Sequence, residues 1–442
     1  MEQAASFARS AGRVCSNKSL DYMHAFSGAL EQSRVEPSSS TTAGSALCMT
    51  TMYPDRVARA CINEYTRHPE FWPTTRSNGL AQFTVLAGIV LYDRPSDQIE
   101  CVSLGTGSKC LPATKLPKSG EALHDSHAEV LARRAAVGWV YRQLQGGSEW
   151  VVDGKLREGV ELWMYVSTLP CGDASTSALA INQPAEMAAL KTVSPMPQPE
   201  KGTTARGRDN YNALGWLRTK PARADAPPTS SHSCSDKIAL WSLVGFQGAL
   251  LYQLVGPLFF SGLVIGDVLG QFSDADVEKI VGDCQRALVE RLRPLPDGIQ
   301  VSHELRILFT SIPFPHARSQ IPESNAVSDP ESHIWIGPSK TSPSISETIV
   351  NGFRRGIGPK RYQNPRFQPI LCKASFMRLY LNACGLIGET EHQSGTYYQL
   401  KRHNRAEKYQ ATKSALRLPG APLEGWLVSG QEWESFEVNK MD

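Results

Sequence analysis

The chain of 442 residues reads as an α/β protein, a mixed sheet with helices on both faces. Two observations predict this class. From about residue 55 to residue 417, apolar runs of strand length alternate with segments whose apolar residues recur at helical spacing. Hydrophobic residues supply 41% of the sequence, enough to fill a large core and to exclude a wholly disordered chain. The net charge of +3 is too small to imply a nucleic-acid partner by itself, so any such role rests on locally concentrated basic residues.

Residues 1–51 carry no sustained periodicity, and 38–45 are nearly all Ser, Thr, Ala and Gly, which predicts a disordered extension. Val57, Cys61, Ile62 and Tyr65 then recur at helical spacing. Residues 83–92 and 99–104 predict paired strands, with Tyr92-Asp93-Arg94-Pro95 starting the turn between them. Gly105-Thr106-Gly107-Ser108-Lys109 follows without the Gly-x-x-x-x-Gly-Lys spacing of a nucleotide phosphate loop; its glycines predict a close backbone approach, with Lys109 directed at an anion. A helix is expected from His127 to Gln145 and a strand over 161–168.

Residues 191–233 change character, with recurrent prolines. Between 201 and 223, Lys201, Arg206, Arg208, Arg218, Lys220 and Arg223 face only Asp209, with Tyr211 and Trp216 interleaved. Such a run is a solvated loop or a flexible basic arm. Residues 238–266 hold no charge and exceed the ~20 residues a bilayer needs. Gln247 and Gln253 lie inside, however, and Gly256-Pro257 interrupts, so a buried helix followed by a buried strand is expected. An amphipathic helix over 274–292, strands over 304–311, 333–337 and 346–350, and a helix over 406–417 complete the pattern. Residues 353–378 contain seven basic side chains, Arg354, Arg355, Lys360, Arg361, Arg366, Lys373 and Arg378, and no acid.

The ten cysteines include no Cys-x-x-Cys pair, and a chain of this length needs no disulfide staples, so a reducing compartment is expected, nucleus or cytoplasm. The first thirty residues lack the apolar core of a secretory signal.

Two motifs bear on chemistry. His127-Ala128-Glu129 opens a helix after Leu123-His124-Asp125-Ser126. Residues two apart on a regular helix point to nearly opposite sides, so this pair can share a site only at a helix mouth. Taken alone, Ser126-x-x-Glu129 reads first as a capping box, the commoner feature. The second motif, Leu169-Pro170-Cys171-Gly172-Asp173, ends a strand where helical spacing resumes, and a helix N-terminus favours a thiolate. His-x-Glu followed by Pro-Cys is the zinc-deaminase signature, in which histidine and cysteine bind metal and glutamate moves protons. Its usual third ligand, three residues after the second, is missing, and Ser175 stands near that place. Ser233-Cys234-Ser235-Asp236-Lys237 instead offers a cysteine far downstream at the head of another helix.

These three motifs, in this order, resemble the A-to-I editase domain of the adenosine deaminases that act on RNA. The likeness implies one deaminase-like domain over 52–442 with an elaborated C-terminal half. Arg218-Thr219-Lys220-Pro221, with Ala222-Arg223-Ala224-Asp225 behind it, is similar to the tRNA-acting branch rather than the duplex-RNA branch. The fifty residues ahead of the domain are too few for a duplex-binding module. The resemblance implies a catalytic zinc on His127, Cys171 and Cys234, with Glu129 as proton shuttle. It also implies a buried inositol hexakisphosphate, ringed by or relayed to the metal through Lys109, Asp125, Arg133, Arg134, Lys237, Lys373, Tyr409, Lys413 and Trp426. Leu240 stands where the family has arginine, Lys401 is off the family spacing, and the tail after Trp426 diverges.

The activity so implied is hydrolysis of adenosine to inosine in tRNA, at the base 3′ of the anticodon of tRNA-Ala, with Ser108, Arg218, Lys220 and Arg223 as substrate contacts. RNA is the expected partner, with no membrane, no DNA and no obligate protein partner. Three other readings stay open: an enzyme of duplex RNA, a non-catalytic zinc-containing RNA-binding relative, and a deaminase of cytosine or free nucleosides.

Overall fold

The computed structural model describes residues 43–183, 200, 202–206, 211, 213–220, 227–299, 304–322, 325–386 and 394–438, with side chains from Tyr53 onward. The disorder expected over 1–51 concerns residues mostly outside this set. Lys201, Arg208 and Arg223 of the basic stretch also lie outside it.

Ten strands matter for the site: β1 (Leu86–Asp93), β2 (Gln98–Thr106), β3 (Ser108–Cys110), β4 (Asp125–His127), β5 (Val160–Val166), β6 (Gly262–Ile265), β7 (Arg306–Phe309), β8 (Glu331–Ile336), β9 (Ile345–Val350) and β10 (Phe353–Arg354). Eight of them form one mixed sheet in the order β7-β6-β5-β1-β2-β8-β9-β10. Strands β5, β6 and β7 run parallel, and the remaining pairings are antiparallel. Every residue of β5 is buried, which is why its sequence is apolar apart from Glu161 and does not alternate.

Two adjacent strand positions explain how helices cover both faces. Gly88 pairs with Leu104 and Ala87 with Gly105, so the two glycines point to opposite sides of the sheet. A Cβ on Gly88 would overlap Cys61 of helix α1 (Ala43–Thr66). One on Gly105 would overlap the backbone of Ala128 and Ala132 in helix α2 (Ala128–Gly146). On the α1 side, Val57, Ala58, Cys61 and Tyr65 pack with Leu86, Val90, Trp163 and Tyr165. Burying each large side chain of that set is worth roughly 1.5–3 kcal/mol.

The glycine-rich segment after β2 is a crossing from sheet to ribbon. β2 ends at Thr106, and β3 then pairs with β4, matching Ser108 to His127, Lys109 to Ser126 and Cys110 to Asp125. β4 runs straight into α2.

Helix α3 (Thr176–Ile181) follows β5. Residues 234–255, which take in the start of the uncharged run, are long and apolar enough to cross a membrane by composition alone. They form two helices where one was expected, α4 (Cys234–Val244) and α5 (Gly248–Val255), because Gly245 turns the chain at φ 81°. Helix α4 packs on α6 (Asp274–Leu288), whose Ser273 cap accepts the Asp276 amide at 3.3 Å. α6 stops short of Leu292, the remainder being a 3-10 turn over Glu290–Leu292. Helices α7 (Lys373–Leu386), α8 (Tyr397–Leu400) and α9 (Glu407–Ala415) close the C-terminal half, α7 against α2 and α9 against α4 and α5.

Candidate active site

The β3–β4 ribbon and the mouths of two helices open onto a cleft of about 920 Å³, walled by Ser108, Lys109, His127, Glu129 and Cys171 among others. His127 is the N-cap of α2, still extended at φ −70° and ψ 144°, and its side chain makes no capping bond. Ser126 belongs to the ribbon, so the capping-box reading fails: the cap position is one residue later than that motif needs. Glu129, in the first turn, is only 3% exposed yet lines the cleft. The change from extended to helical backbone between them lets both side chains serve one cavity.

Asp125 fixes the histidine. Its Oδ1 accepts from the His127 backbone amide at 3.1 Å and meets Nδ1 at 2.9 Å, leaving Nε2 for the cleft. Cys171 leaves β5 through a loop in which Gly172 has φ 108°, and a Cβ there would overlap Ser233. Only glycine lets this loop press on the head of α4. There the amide of Ser235 donates to the Cys171 carbonyl at 3.0 Å, and the amide of Cys234 reaches the Cys171 sulfur at 3.4 Å. Lys220 Nζ donates to Cys234 Sγ at 3.1 Å and to Asp125 Oδ2 at 2.7 Å.

The charges follow from these contacts. The hydrogen bond from Cys234 holds the Cys171 thiol well below its ordinary range, against burial and with help from Lys220 and His127. Burial pushes Cys234 up. Burial and Lys220 work against protonation of His127, but Asp125 and Cys171 prevail and hold it up at about 9. Burial first, then the Cys171 charge, raises Glu129 above the usual carboxylate range. His127 and Cys234 thus meet through Cys171, although among the described residues no His, Cys, Asp or Glu trio stands in closed metal-binding geometry. Two sulfurs and an imidazole, with a carboxylate behind the imidazole, form a donor set suited to zinc with a position left open.

A second cavity of about 350 Å³ lies behind Asp125, which also bonds Ser231 Oγ at 2.7 Å and Lys237 Nζ. Its wall carries Arg133, Arg134, Lys237, Lys373, Lys401, Arg402, Lys413 and Arg417 against two carboxylates, Asp125 and Glu434. Burial, Arg417 and Lys401 drive Lys413 well below the usual lysine range. Burial lowers Lys373 to about 8, despite Glu434 at 3.6 Å. Trp426 closes one side, stacked on His232 at 4.1 Å.

The structure brings Asp125, Arg133, Arg134, Lys237, Lys373, Tyr409, Lys413 and Trp426 to this chamber, but it puts Lys109 in the cleft, with Nζ 3.5 Å from the Ser328 carbonyl. Leu240 lines the chamber as an apolar wall. Lys401, the off-spacing candidate of the sequence, lines it too, whereas Arg402 and Arg417 were not assigned to it from sequence. Arg417 had a signal, since Tyr409, Lys413 and Arg417 step by four along one helical stripe.

Of the expected substrate contacts, Ser108 lines the cleft with its Oγ 2.6 Å from that of Ser328. Arg218 and Lys220 line the same cleft. They are 2% and 3% exposed, because 218–220 pairs with 231–233 and pins the base of the basic stretch inside the protein. Lys220 supports Asp125 and Cys234 and is no part of a solvated arm.

The adenosine-deaminase (editase) domain family matches residues 103–429. A tRNA-specific adenosine deaminase 1 from Schizosaccharomyces pombe is 27% identical over 392 residues, 85% of this chain and 94% of its own length. The protein of that name from Drosophila melanogaster is 31% identical over 343 residues, 74% of this chain and 80% of its own. The double-stranded RNA-specific editase Adar of Drosophila melanogaster is 31% identical over 219 residues, but these are 42% of this chain and 30% of the editase. The family match spans all three motifs and most of the residues lining the cleft and the chamber, and the chain belongs to the adenosine-deaminase (editase) domain family.

Proposed function

We propose that this chain hydrolyses adenosine to inosine in tRNA, at the base immediately 3′ of the anticodon of tRNA-Ala. The observation that carries the chemistry is a buried glutamate, Glu129, in one cleft with His127 and Cys171, and Cys234 behind them. For the substrate, the support is length: the Schizosaccharomyces pombe and Drosophila melanogaster relatives named for tRNA align over 85% and 74% of this chain, the duplex-RNA editase over 42%. A loop base is already unpaired, so drawing it into the cleft costs less than the few kcal/mol a duplex base requires.

His127, Cys171 and Cys234 would hold zinc, which lowers the pKa of a water in its open position toward ~7. Glu129 takes the proton of the attacking water as oxygen adds to C6 of adenine. It returns that proton to N1 and then assists ammonia to leave. Burial, which raises its proton affinity, suits it to carry the proton between these atoms. Asp125 keeps His127 oriented, and Lys220 keeps negative charge favourable on Cys234.

The chamber residues fit a polyanion by their own chemistry. Among the described residues no carboxylate lies within ion-pair reach of Lys413, and Glu434 alone faces Lys373 and Lys401. Unpaired buried cations cost several kcal/mol each. Inositol hexakisphosphate would be held by Arg133, Arg134, Lys373, Lys401, Lys413 and Arg417, with Asp125 and Lys237 between it and His127.

The test incubates purified protein with tRNA-Ala, a long RNA duplex, free adenosine and cytidine. Inosine in tRNA-Ala alone is expected. Inosine only in the duplex would replace the substrate, turnover of cytidine would replace the base, and no product at all would leave a non-catalytic protein.

A further inference from the structure

The acid-free basic run after β9 divides in two. Lys373 faces the chamber, and Arg378 is buried against Gln368 at 2.8 Å. Arg354, Arg355, Lys360, Arg361 and Arg366 are all exposed, and neither cavity uses them. Glu347 stands 3.6 Å from Arg354 and Glu331 2.7 Å from Arg355. Among the described residues no carboxylate is within ion-pair distance of Lys360, Arg361 or Arg366.

This segment is built, not loose. The Phe353 and Tyr362 rings stack with centroids 3.6 Å apart at 7°, and Arg361 lies over Phe367 at 5.2 Å. The amides of Arg355, Arg361, Asn364 and Phe367 donate to Thr348, Gly358, Arg361 and Asn364 at 2.9–3.0 Å. A surface fixed in advance spends little conformational entropy on binding.

Its position is also defined. The Leu123 amide donates to the Gly352 carbonyl at 2.8 Å, two residues before the ribbon strand that ends at His127. Val350 pairs with Glu331, and Ser328, three residues earlier, lines the cleft. Strand β9 lies two strand spacings from β2, roughly 10 Å, at the end of the sheet where β2 delivers Ser108.

We propose that Lys360, Arg361 and Arg366 form a phosphate-binding platform that engages the RNA backbone outside the cleft while the target base is inside it. This rests on RNA being the substrate. The platform contacts charge and not sequence, so it sets affinity and salt dependence and leaves the chemical step alone.

The experiment compares the full chain with Lys360→Gln/Arg361→Gln/Arg366→Gln, and with a control of equal charge loss at distant exposed sites, Arg59→Gln/Lys155→Gln/Lys279→Gln. Fluorescence anisotropy measures tRNA-Ala binding across a series of salt concentrations. Each phosphate contact contributes about 0.7–0.9 to the log–log salt slope. The platform variant should bind about tenfold or more weakly, with a slope shallower by roughly two to three and kcat at saturating tRNA unchanged. Affinity and slope equal to the unmodified chain's, or an equal loss in the control, would overturn the platform. A wild-type chain that makes no inosine in tRNA yet binds it with a platform-dependent slope would defeat the proposed substrate and leave the platform standing.

Discussion

The cleft and the chamber behind it meet at Asp125 and are built from opposite materials. The cleft gathers sulfur, imidazole and a proton-holding carboxylate on elements that end there: ribbon, loop and helix mouths. The chamber gathers lysine and arginine from α2, α4, α7 and α9, which cross behind it. A reacting site needs donors with lone pairs and room for a substrate. A site for a permanent polyanion needs fixed positive charge in enclosure. Asp125 serves both, accepting from Lys220 and Lys237 with one oxygen and orienting His127 with the other. The difference teaches which substitutions touch chemistry alone, which touch folding, and which touch both.

The largest effect belongs to the cleft alone. Glu129→Ala should lower inosine formation by about 10²–10⁴-fold, the usual worth of a positioned proton carrier, with tRNA affinity and thermal midpoint unchanged. Reverse transcription, which reads inosine as guanosine, gives the rate. Equal loss of affinity would mean that Glu129 holds substrate instead of moving protons. In the unsubstituted protein the acid limb of kcat/KM should lie above the usual glutamate pKa. Burial raises this group, so its base form is lost earlier as pH falls.

The wall between the cavities comes next. Asp125→Asn retains an acceptor for His127 but removes the charge opposite Lys220 and Lys237. Bound zinc should weaken by about 10–100-fold, as when a ligand's hydrogen-bonded support is altered. Elemental analysis after dialysis against a graded chelator reads this. Full zinc retention would show that orientation matters and charge does not.

The chamber gives a change of sign. Lys413 is half-buried beside Arg417 and Lys401, so without an anion its charge opposes folding. Lys413→Met should lower the thermal midpoint of protein prepared with inositol hexakisphosphate and raise it in protein refolded without phosphates. The accompanying change in stability should be about 1–4 kcal/mol in each direction. A lower midpoint in both preparations would show that the lysine stem packs the core and that the charge is incidental.

Legibility in the sequence followed the same division. The cleft was readable because its residues sit in short motifs next to element boundaries. His127-Ala128-Glu129 at a helix mouth and Pro170-Cys171-Gly172 after a strand are local facts about backbone geometry. The sheet was readable because β1 is apolar from Leu86 to Tyr92 and β5 from Leu162 to Val166. What escaped depends on contacts distant in sequence. Lys220 looked like part of a mobile arm because its pairing with 231–233 is invisible in composition, and the same pairing turns it toward Asp125, 95 residues away. Lys401 and Arg402 follow the short helix α8 off the family spacing, so only the folded chain brings them to the chamber. Helix α4 was read too long because nothing in a continuous apolar run marks Gly245 as a left-handed turn.

The smallest expected effect is a pH dependence confined to the chamber. Burial lowers Lys373 to about 8 in the anion-free protein, whereas a free lysine holds its proton to ~10.4. A bound polyanion stabilises the ammonium and returns the pKa upward, so between these values binding takes up a proton. Affinity for inositol hexakisphosphate should therefore fall as pH rises through about 8, by at most about tenfold per pH unit for this one group. The stability of anion-free protein runs the other way. Over the same window the unfolded chain binds the Lys373 proton more tightly than the folded one, so stability rises with pH. Titration calorimetry in two buffers of different ionisation enthalpy counts the protons taken up, and Lys373→Met should reduce that count while leaving the acid limb set by Glu129 in place. An unchanged count would assign the proton to Lys401 or Lys413, which burial also lowers, and would move the most readily discharged cation deeper toward α9.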